Sequence, residues 1–432
     1  MYNKIDILNF IVKGKIMEKI DEIMEIANYC LNCKTKPCTK GCPLGNNIPE
    51  FIKCIKEKKF DDAYDVLQET TVLSSICGRI CPHSKQCEGN CVRGIKGDPV
   101  DIGLLESFVG DANKEKNIKL KEKLVDNKKV AIIGGGPSGL TAAAFLARSG
   151  CIVTIYEKEE KLGGILNYGI PDFRLDKKII NNTIDKVLIL GIQVKSGYVL
   201  GKNISLEDLK KEYDAIYLAF GANNSCFMDV EGKNLDNVYG ANELLKYNKH
   251  PDYKEKNVAI IGGGNVAIDI ARTVKRLDAK SVNIIYRREE KQMPAEPKEI
   301  RDAKNEGVNF IHKANLVKII GNGHVEKIEL IKTELVKKEG ETREYPVNIQ
   351  NSNYQIDMDY VIMAIGSKID RELATKNGLE LNEKGYIKVD ENYKTNIDGV
   401  FAGGDLIGGK CTVAWASKAG RDAARNIVQY LM

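Results

Sequence analysis

Two stretches of this chain are near copies of one another, and each runs from an apolar strand into a glycine-rich turn and then a helix. Val130–Ala144 reads VAIIGGGPSGLTAAA and Val258–Ala271 reads VAIIGGGNVAIDIA. Each is followed by a second strand-like run, CIVTIYE or SVNIIYRR, and each unit closes on a similar strand and turn, YDAIYLAFGA or MDYVIMAIGS. Repetition of such a βαβ unit commits the chain beyond residue 125 to parallel sheets flanked by helices, in two dinucleotide-binding domains of shared design. In the first copy Gly134 makes the tight turn, Gly136 lets the backbone approach a pyrophosphate and Gly139 lets the helix pack on the strand. Pro137 and Ser138 open that helix, whose free N–H groups and dipole favour an anion. Glu157 ends the next strand, about twenty residues on, where a carboxylate accepts hydrogen bonds from an adenosine ribose. The second copy uses Gly262, Gly264 and Ala267, with Asn265 and Val266 opening its helix, and its next strand ends in Tyr286-Arg287-Arg288. A carboxylate there would repel the 2′-phosphate of NADP, whereas guanidinium groups hold it by bidentate bonds. The first site suits FAD or NAD and the second NADPH. The plainer alternatives are structural βα turns and two solvated arginines.

A third signature, Gly399-Val400-Phe401-Ala402-Gly403-Gly404-Asp405, delivers an acid just after two glycines, as a flavin's ribityl or pyrophosphate region requires. Thr412–Ala424 then reads as a helix whose small residues permit close approach to the cofactor, and Thr412 is counted with that site. This closing motif resembles that of flavin disulfide-reductase-like proteins, in which the FAD domain is interrupted by the NADPH domain. The resemblance makes the first site an FAD site. The expected divisions are therefore a helical domain over 1–125, the FAD domain over 126–250 and 365–432, and the NADPH domain over 251–364. Pro251, within His250–Lys256, marks the expected hinge. Ile319–Asp357 alternates imperfectly and reads as an antiparallel ribbon.

The first 125 residues are different in kind. They are rich in Lys, Cys and helix formers, and Ile48–Val72 shows the three- and four-residue apolar spacing of an amphipathic helix. Nine of the chain's 12 cysteines lie between Cys30 and Cys91, while Cys151, Cys226 and Cys411 stand alone and read as small core residues. The runs are Cys30-x2-Cys33-x4-Cys38-x3-Cys42-Pro43 and Cys77-x3-Cys81-Pro82-x4-Cys87-x3-Cys91. Short spacings with a proline after a cysteine are the form of ferredoxin-type loops, in which the fourth cysteine of a run ligates the other cluster. Four thiolates also make a structural zinc site, but zinc would do nothing for a flavin. From spacing alone Cys77 is the eighth ligand.

With these runs the chain resembles the NADPH-dependent glutamate synthase small-subunit family, which includes the large subunit of NADH-dependent ferredoxin:NADP oxidoreductase and the N-terminal half of dihydropyrimidine dehydrogenase. The resemblance covers nearly the whole chain, through CPLGNNIPEFI, CGRICP, CEGNCVRG, PVDIGLLESFV, GGGPSGL, GGILNYGIPDFRL, GGGNVAID, YRRE and GVFAGGD. It implies two [4Fe–4S] clusters with crossed ligation, one on Cys30, Cys33, Cys38 and Cys91 and the other on Cys42, Cys81, Cys87 and Glu106. Cys54 and Cys77 would then be non-ligands. It also implies a flavin-contacting loop over Gly163–Leu175, with Gly164 in the site and Arg174 near the ring.

The expected reaction passes electrons from NADPH through FAD to the clusters and on to a partner, with no catalytic side chain; the four histidines show no triad or metal spacing. The partner is a glutamate synthase large-subunit-like chain or, in a ferredoxin:NADP transhydrogenase-type complex, a small flavin subunit or ferredoxin. An assembly module with structural clusters would leave both nucleotide sites unexplained. A disulfide reductase is disfavoured because no CxxC follows residue 33. The start Met1-Tyr2 offers no N-terminal nucleophile cysteine for glutamine hydrolysis, and the length leaves no room for an FMN barrel. A net charge of +5 gives no reason to expect nucleic acid or membrane as a partner. The N-terminal MYNKIDILNFIVKGK reads as an amphipathic lead-in lacking a cleavage site, so the chain is expected in the cytoplasm.

Overall fold

The computed structural model describes residues 19–120, 123–337, 340 and 344–432. The lead-in expected over residues 1–15 lies outside the described residues. The chain divides into two compact units, one formed by the chain through Asn167 with Asp172–Gly221 and Arg371–Met432, the other by Tyr168–Pro171 with Ala222–Asp370.

In the first unit, short helices surround an apolar core. Ile48, Phe51, Ile52 and Ile55, at helical spacing, are buried on one face of the helix Ile48–Lys56 against Leu67, Leu105 and Val109. The single helix suggested by the apolar spacing of 48–72 is two, because Lys58 turns left-handed at φ 57° and closes the first before Phe60–Gln68 begins. The helices Ser74–Ile80 and Ile102–Ala112 approach to backbone contact. A methyl group on Gly78 would lie 2.4 Å from the Ser107 nitrogen, and one on Gly110 2.6 Å from the Ser75 nitrogen.

The same unit carries a parallel five-stranded sheet in the order Val400–Ala402, Ala215–Leu218, Lys129–Ile133, Ile152–Glu157, Gln193–Ser196. Three buried cations tie the helices to this sheet layer. Arg148 donates to the Gln68 carbonyl at 2.7 Å, Arg421 to the Leu44 carbonyl at 2.5 Å, and Lys186 to the Asn113 carbonyl at 2.5 Å. Burial pushes the Lys186 ammonium down to about 8.

The second unit repeats the sheet, in the order Val238–Gly240, Tyr360–Met363, Asn257–Ile261, Ser281–Tyr286, Asn309–His312. The order matches strand for strand, but the edge strand comes last in the chain in the first unit and first in the second. The compact units divide elsewhere than at the boundary expected at residue 250. Val238–Gly240 and the helix Ala241–Tyr247 belong to the second unit, whose core takes Ala241 and Leu244, and the chain crosses at 221/222 and 370/371. The antiparallel ribbon is present as Ala314–Ile320, Lys327–Lys337 and Glu344–Asp357.

The helix Val413–Leu431, capped by the Thr412 hydroxyl, spends its small residues on the first glycine-turn helix, Pro137–Arg148. A methyl group on Gly420 would lie 2.1 Å from the Ser138 carbonyl oxygen, a backbone atom that cannot yield. Gly420→Ala should therefore lower stability by about 1–3 kcal/mol, as overpacking does. The expected outcome is a lower Tm than in the parent, measured by thermal unfolding; an unchanged Tm would refute the close packing.

Candidate functional site

Three kinds of site are built on this frame. At the first glycine turn Gly134 has φ 106°, and a methyl group there would meet the Ala219 oxygen at 2.6 Å. On Gly139 it would lie 1.9 Å from the Gly134 oxygen, so both glycines are required for strand and helix to meet as they do. Gly136 caps the helix, and the only atom near its missing side chain is the Gly164 Cα, at 3.9 Å. A methyl group on Gly164 would in turn lie 2.9 Å from the Gly136 Cα, so two glycines pack backbone to backbone at the helix N-terminus, whose free N–H groups favour an anion. Glu157 is buried, and its two oxygens accept from the Gly135 and Glu159 N–H groups at 2.7 and 3.0 Å. The C-terminal signature arrives at the same turn: a methyl group on Gly404 would lie 2.9 Å from Ser138 Cβ. The neighbouring Asp405 carboxyl is pushed up to about 6 by burial. Ser138 Oγ and the Tyr217 hydroxyl are 2.7 Å apart, a long-range pairing with no local sequence signal. Arg174 is half-buried on the turn before the helix Lys177–Leu188.

The second turn repeats the design in its own unit. Gly262 has φ 146° and approaches the Ala364 oxygen, while Gly264 caps the helix Asn265–Arg276. Ala267 is fully buried, replacing the third glycine, and Val266 packs against the same core. Asn265 Oδ1 accepts from the Glu296 N–H at 3.0 Å and so holds the neighbouring loop. The backbones of Arg287 and Arg288 are pinned, their carbonyls accepting from Thr333 Oγ1 at 2.9 Å and the Lys313 N–H at 3.1 Å. The acids beside them are engaged by other cations, Glu289 by Lys313 and Lys291 and Glu290 by Lys304. Neither arginine forms an ion pair among the described residues, and Arg288 Nε is buried with no hydrogen-bond partner there. An unpaired buried guanidinium donor at this strand end suits an anionic ligand.

The cysteines gather in two sets. Cys30, Cys33, Cys38 and Cys91 line one recess, walled by Ile48, Ile52 and Ile102. Burial pushes the Cys38 thiol up to about 11, with Cys30 and Cys91 adding to the effect. In the second set burial, then Glu106, pushes Cys42 up to about 11 against the backbone N–H groups of Asn46 and Leu44. The Cys81 thiol is raised first by its hydrogen bond to Cys77 and then by burial, and Cys87 by burial and Glu106. Glu106 is itself pushed up to about 8 by burial, opposed by its hydrogen bond from Asn46. The glycine contacts between Ser74–Ile80 and Ile102–Ala112 are what bring Cys77 and Cys81 beside Glu106. Both candidates for the eighth ligand therefore adjoin the set, Glu106 acting on three thiols and Cys77 hydrogen-bonded to one. Among the described residues no three His, Cys, Asp or Glu side chains converge as on a single metal ion. Of the lone cysteines, Cys151 is buried as expected, whereas Cys226 is half-buried and Cys411 exposed at φ 43°.

Residues 117–423 match the family described as pyridine nucleotide-disulphide oxidoreductase, and residues 9–118 match dihydropyrimidine dehydrogenase domain II, 4Fe-4S cluster. The chain is 32% identical over 429 residues to the glutamate synthase [NADPH] small chain of Escherichia coli, covering 94% of this chain and 90% of that protein. It belongs to the glutamate synthase small-chain family. Some relatives carry subunit names of other enzymes. The NADP(+)-dependent formate dehydrogenase subunit beta of Moorella thermoacetica is 34% identical over 430 residues, covering 92% of this chain and 60% of that longer one. Among solved structures, FprA from Mycobacterium tuberculosis in complex with NADPH superposes with a TM-score of 0.64 at 19% identity, covering 71% of this chain and 85% of that one, a likeness of fold. This glutamate synthase small-chain homologue is an NADPH-dependent oxidoreductase with a 4Fe-4S domain ahead of its nucleotide-binding domains.

Replacing Arg287 and Arg288 together by Gln should weaken NADPH binding far more than NADH binding. Each charge-assisted contact to a phosphate is worth about 1.5–3 kcal/mol. Equal losses for the two nucleotides, measured by titration, would show that these arginines do not read the 2′-phosphate.

Proposed function

We propose that this chain passes electrons from NADPH to a partner subunit through one FAD and two [4Fe–4S] clusters. The observation that carries the reading is that Cys91, last of the second run, lines one recess with Cys30, Cys33 and Cys38, while Cys42, last of the first run, lies with Cys87 and Glu106. Crossing of this kind is the ligation habit of paired clusters, and the wide spacing of the donors suits a cluster better than one zinc ion. When bound, the flavin takes two electrons from NADPH and the clusters release them singly.

The residues of the chain do the rest by position. Gly134, Gly136 and Gly139 present helix N–H groups to the pyrophosphate, Glu157 holds the ribose, and Asp405 with Gly164 borders the flavin. Arg287 and Arg288 hold the 2′-phosphate beside Gly262 and Gly264. No side chain is needed to move a proton, and the described histidines fit that reading. Burial keeps His83 neutral, pushing it down to about 4, and His312 lies 3.5 Å from Glu290.

In the second donor set Cys81, Cys87 and Glu106 are buried and Cys42 is half-buried, and Leu44 in its loop is bonded to Arg421 on the helix capped by Thr412. The first set is half-exposed, with Leu31 and Val92 exposed in its walls and Ile95 nearby. We therefore read the route as flavin, second cluster, first cluster, partner. Relatives named small chain and subunit beta support a partner subunit, and a glutamate synthase large-subunit-like chain is the first choice. The formate dehydrogenase relative keeps a different partner, such as a small flavin subunit or ferredoxin, in play. No helix among the described residues is long and apolar enough to cross a membrane. All twelve cysteines are free, which favours the reducing cytoplasm.

Anaerobically purified protein should hold about one FAD and roughly eight irons per chain. Metal analysis and flavin absorbance measure this directly. Stoichiometric zinc in place of iron would overturn the electron-transfer reading.

A further inference from the structure

After the first cysteine run the chain passes through CPLGNN, where one buried side chain reaches across to Glu106. We propose that Asn46 is the positioning residue for the second donor set, its side-chain amide orienting Glu106. The inference rests on Glu106 being the eighth ligand, as read above.

Asn46 is 1% exposed, so its amide must find its partners within the protein. Its Nδ2 donates to Glu106 Oε1 at 3.2 Å, and its Oδ1 accepts from Thr70 Oγ1 at 2.6 Å. Thr70 Oγ1 also has the Leu67 carbonyl within reach, so the carboxylate sets the direction: with Glu106 ionised, as a ligand must be, a turned amide would set its oxygen against a carboxylate oxygen. The loop and the Thr70 turn are held in turn by one guanidinium: Arg421 Nη1 donates to the Leu44 carbonyl at 2.5 Å and the Thr70 carbonyl at 3.4 Å.

A ligating carboxylate on a flexible two-methylene stem binds iron in a defined direction only if something outside the cluster holds it. A neutral amide donor does this without adding charge. It engages one carboxylate oxygen and leaves the other to the metal, the arrangement by which outer partners orient ligands and tune them. The donor also withdraws electron density from the carboxylate, so its loss makes the ligand more basic and the cluster harder to reduce. Cys77 has no such support; its partner is Cys81. The Asn46 side chain therefore serves the carboxylate alone.

The test uses the full-length protein with its clusters assembled anaerobically, in the variants Asn46→Ala, Asn46→Asp, Thr70→Val and Glu106→Ala. Iron per chain, retention of iron against a chelator, and redox titration by electron paramagnetic resonance are the readouts, with bound FAD as the control for folding. Asn46→Asp sets two carboxylates against each other and should lose the second cluster, about half of the iron in a two-cluster chain. Asn46→Ala should shift that cluster's midpoint potential negative or weaken its iron retention about 10–100-fold. Thr70→Val should shift it the same way by less, and it decides the matter if the Asn46 variants do not fold. The proposal is overturned if Glu106→Ala loses or shifts the cluster while the Asn46 and Thr70 variants match the parent. If Glu106→Ala itself matches the parent and Cys77→Ser loses iron, the ligand reading fails first, and this inference with it.

Discussion

The first unit depends on how closely three segments approach Ser138. The glycine turn places it at the start of its helix, Gly404 brings the C-terminal signature against its Cβ, and Gly420 lays the last helix on its carbonyl. Its hydroxyl meets that of Tyr217 from the neighbouring strand, and a methyl group on Gly403 would fall 2.1 Å from that same tyrosine oxygen. None of these contacts leaves room for a β-carbon, so close packing, more than hydrogen bonding, defines the nucleotide approach. The last helix then carries the constraint outward, since Arg421, one residue past Gly420, holds the Leu44 and Thr70 carbonyls of the cysteine-bearing region.

Much of this was legible in the sequence, for a physical reason. Strand, glycine turn and helix are local, and their steric demands are written in consecutive residues. Lys129–Ile133 and Ile152–Glu157 therefore stand where the apolar runs put them. The crossing at 221/222 was not legible, because Val238–Gly240 is a three-residue strand too short to show a period, and its place is set by pairing with Tyr360–Met363. The break at Lys58 was hidden for the opposite reason. The apolar spacing continues through it, and only a backbone dihedral marks it.

The donor sets show where spacing stops being informative. Cysteine intervals signalled clusters, but which eighth group faces the second set depends on how Ile102–Ala112 lies against Ser74–Ile80, a matter of glycines at 78, 103 and 110. Asn46 was invisible as a functional residue because an amide has no ligand spacing; its place within the CPLGNN loop was the only signal. Burial raises the thiols and Glu106 in common. Such donors hold their protons until a cation displaces them, which couples metal loading to proton release.

The shared strand order with opposite chain order has a consequence for synthesis. The second unit has all its strands once the chain reaches Asp370, and its two ends are already joined by the short ladder of Asn224–Ser225 with Ser367–Lys368. The first unit begins earlier and finishes later, because its sheet lacks an edge until Val400–Ala402 emerges and its turn lacks a lid until Gly420 arrives. On the ribosome, the inserted unit can be folded while the helices and strands made before it are still waiting for partners from the end of the chain.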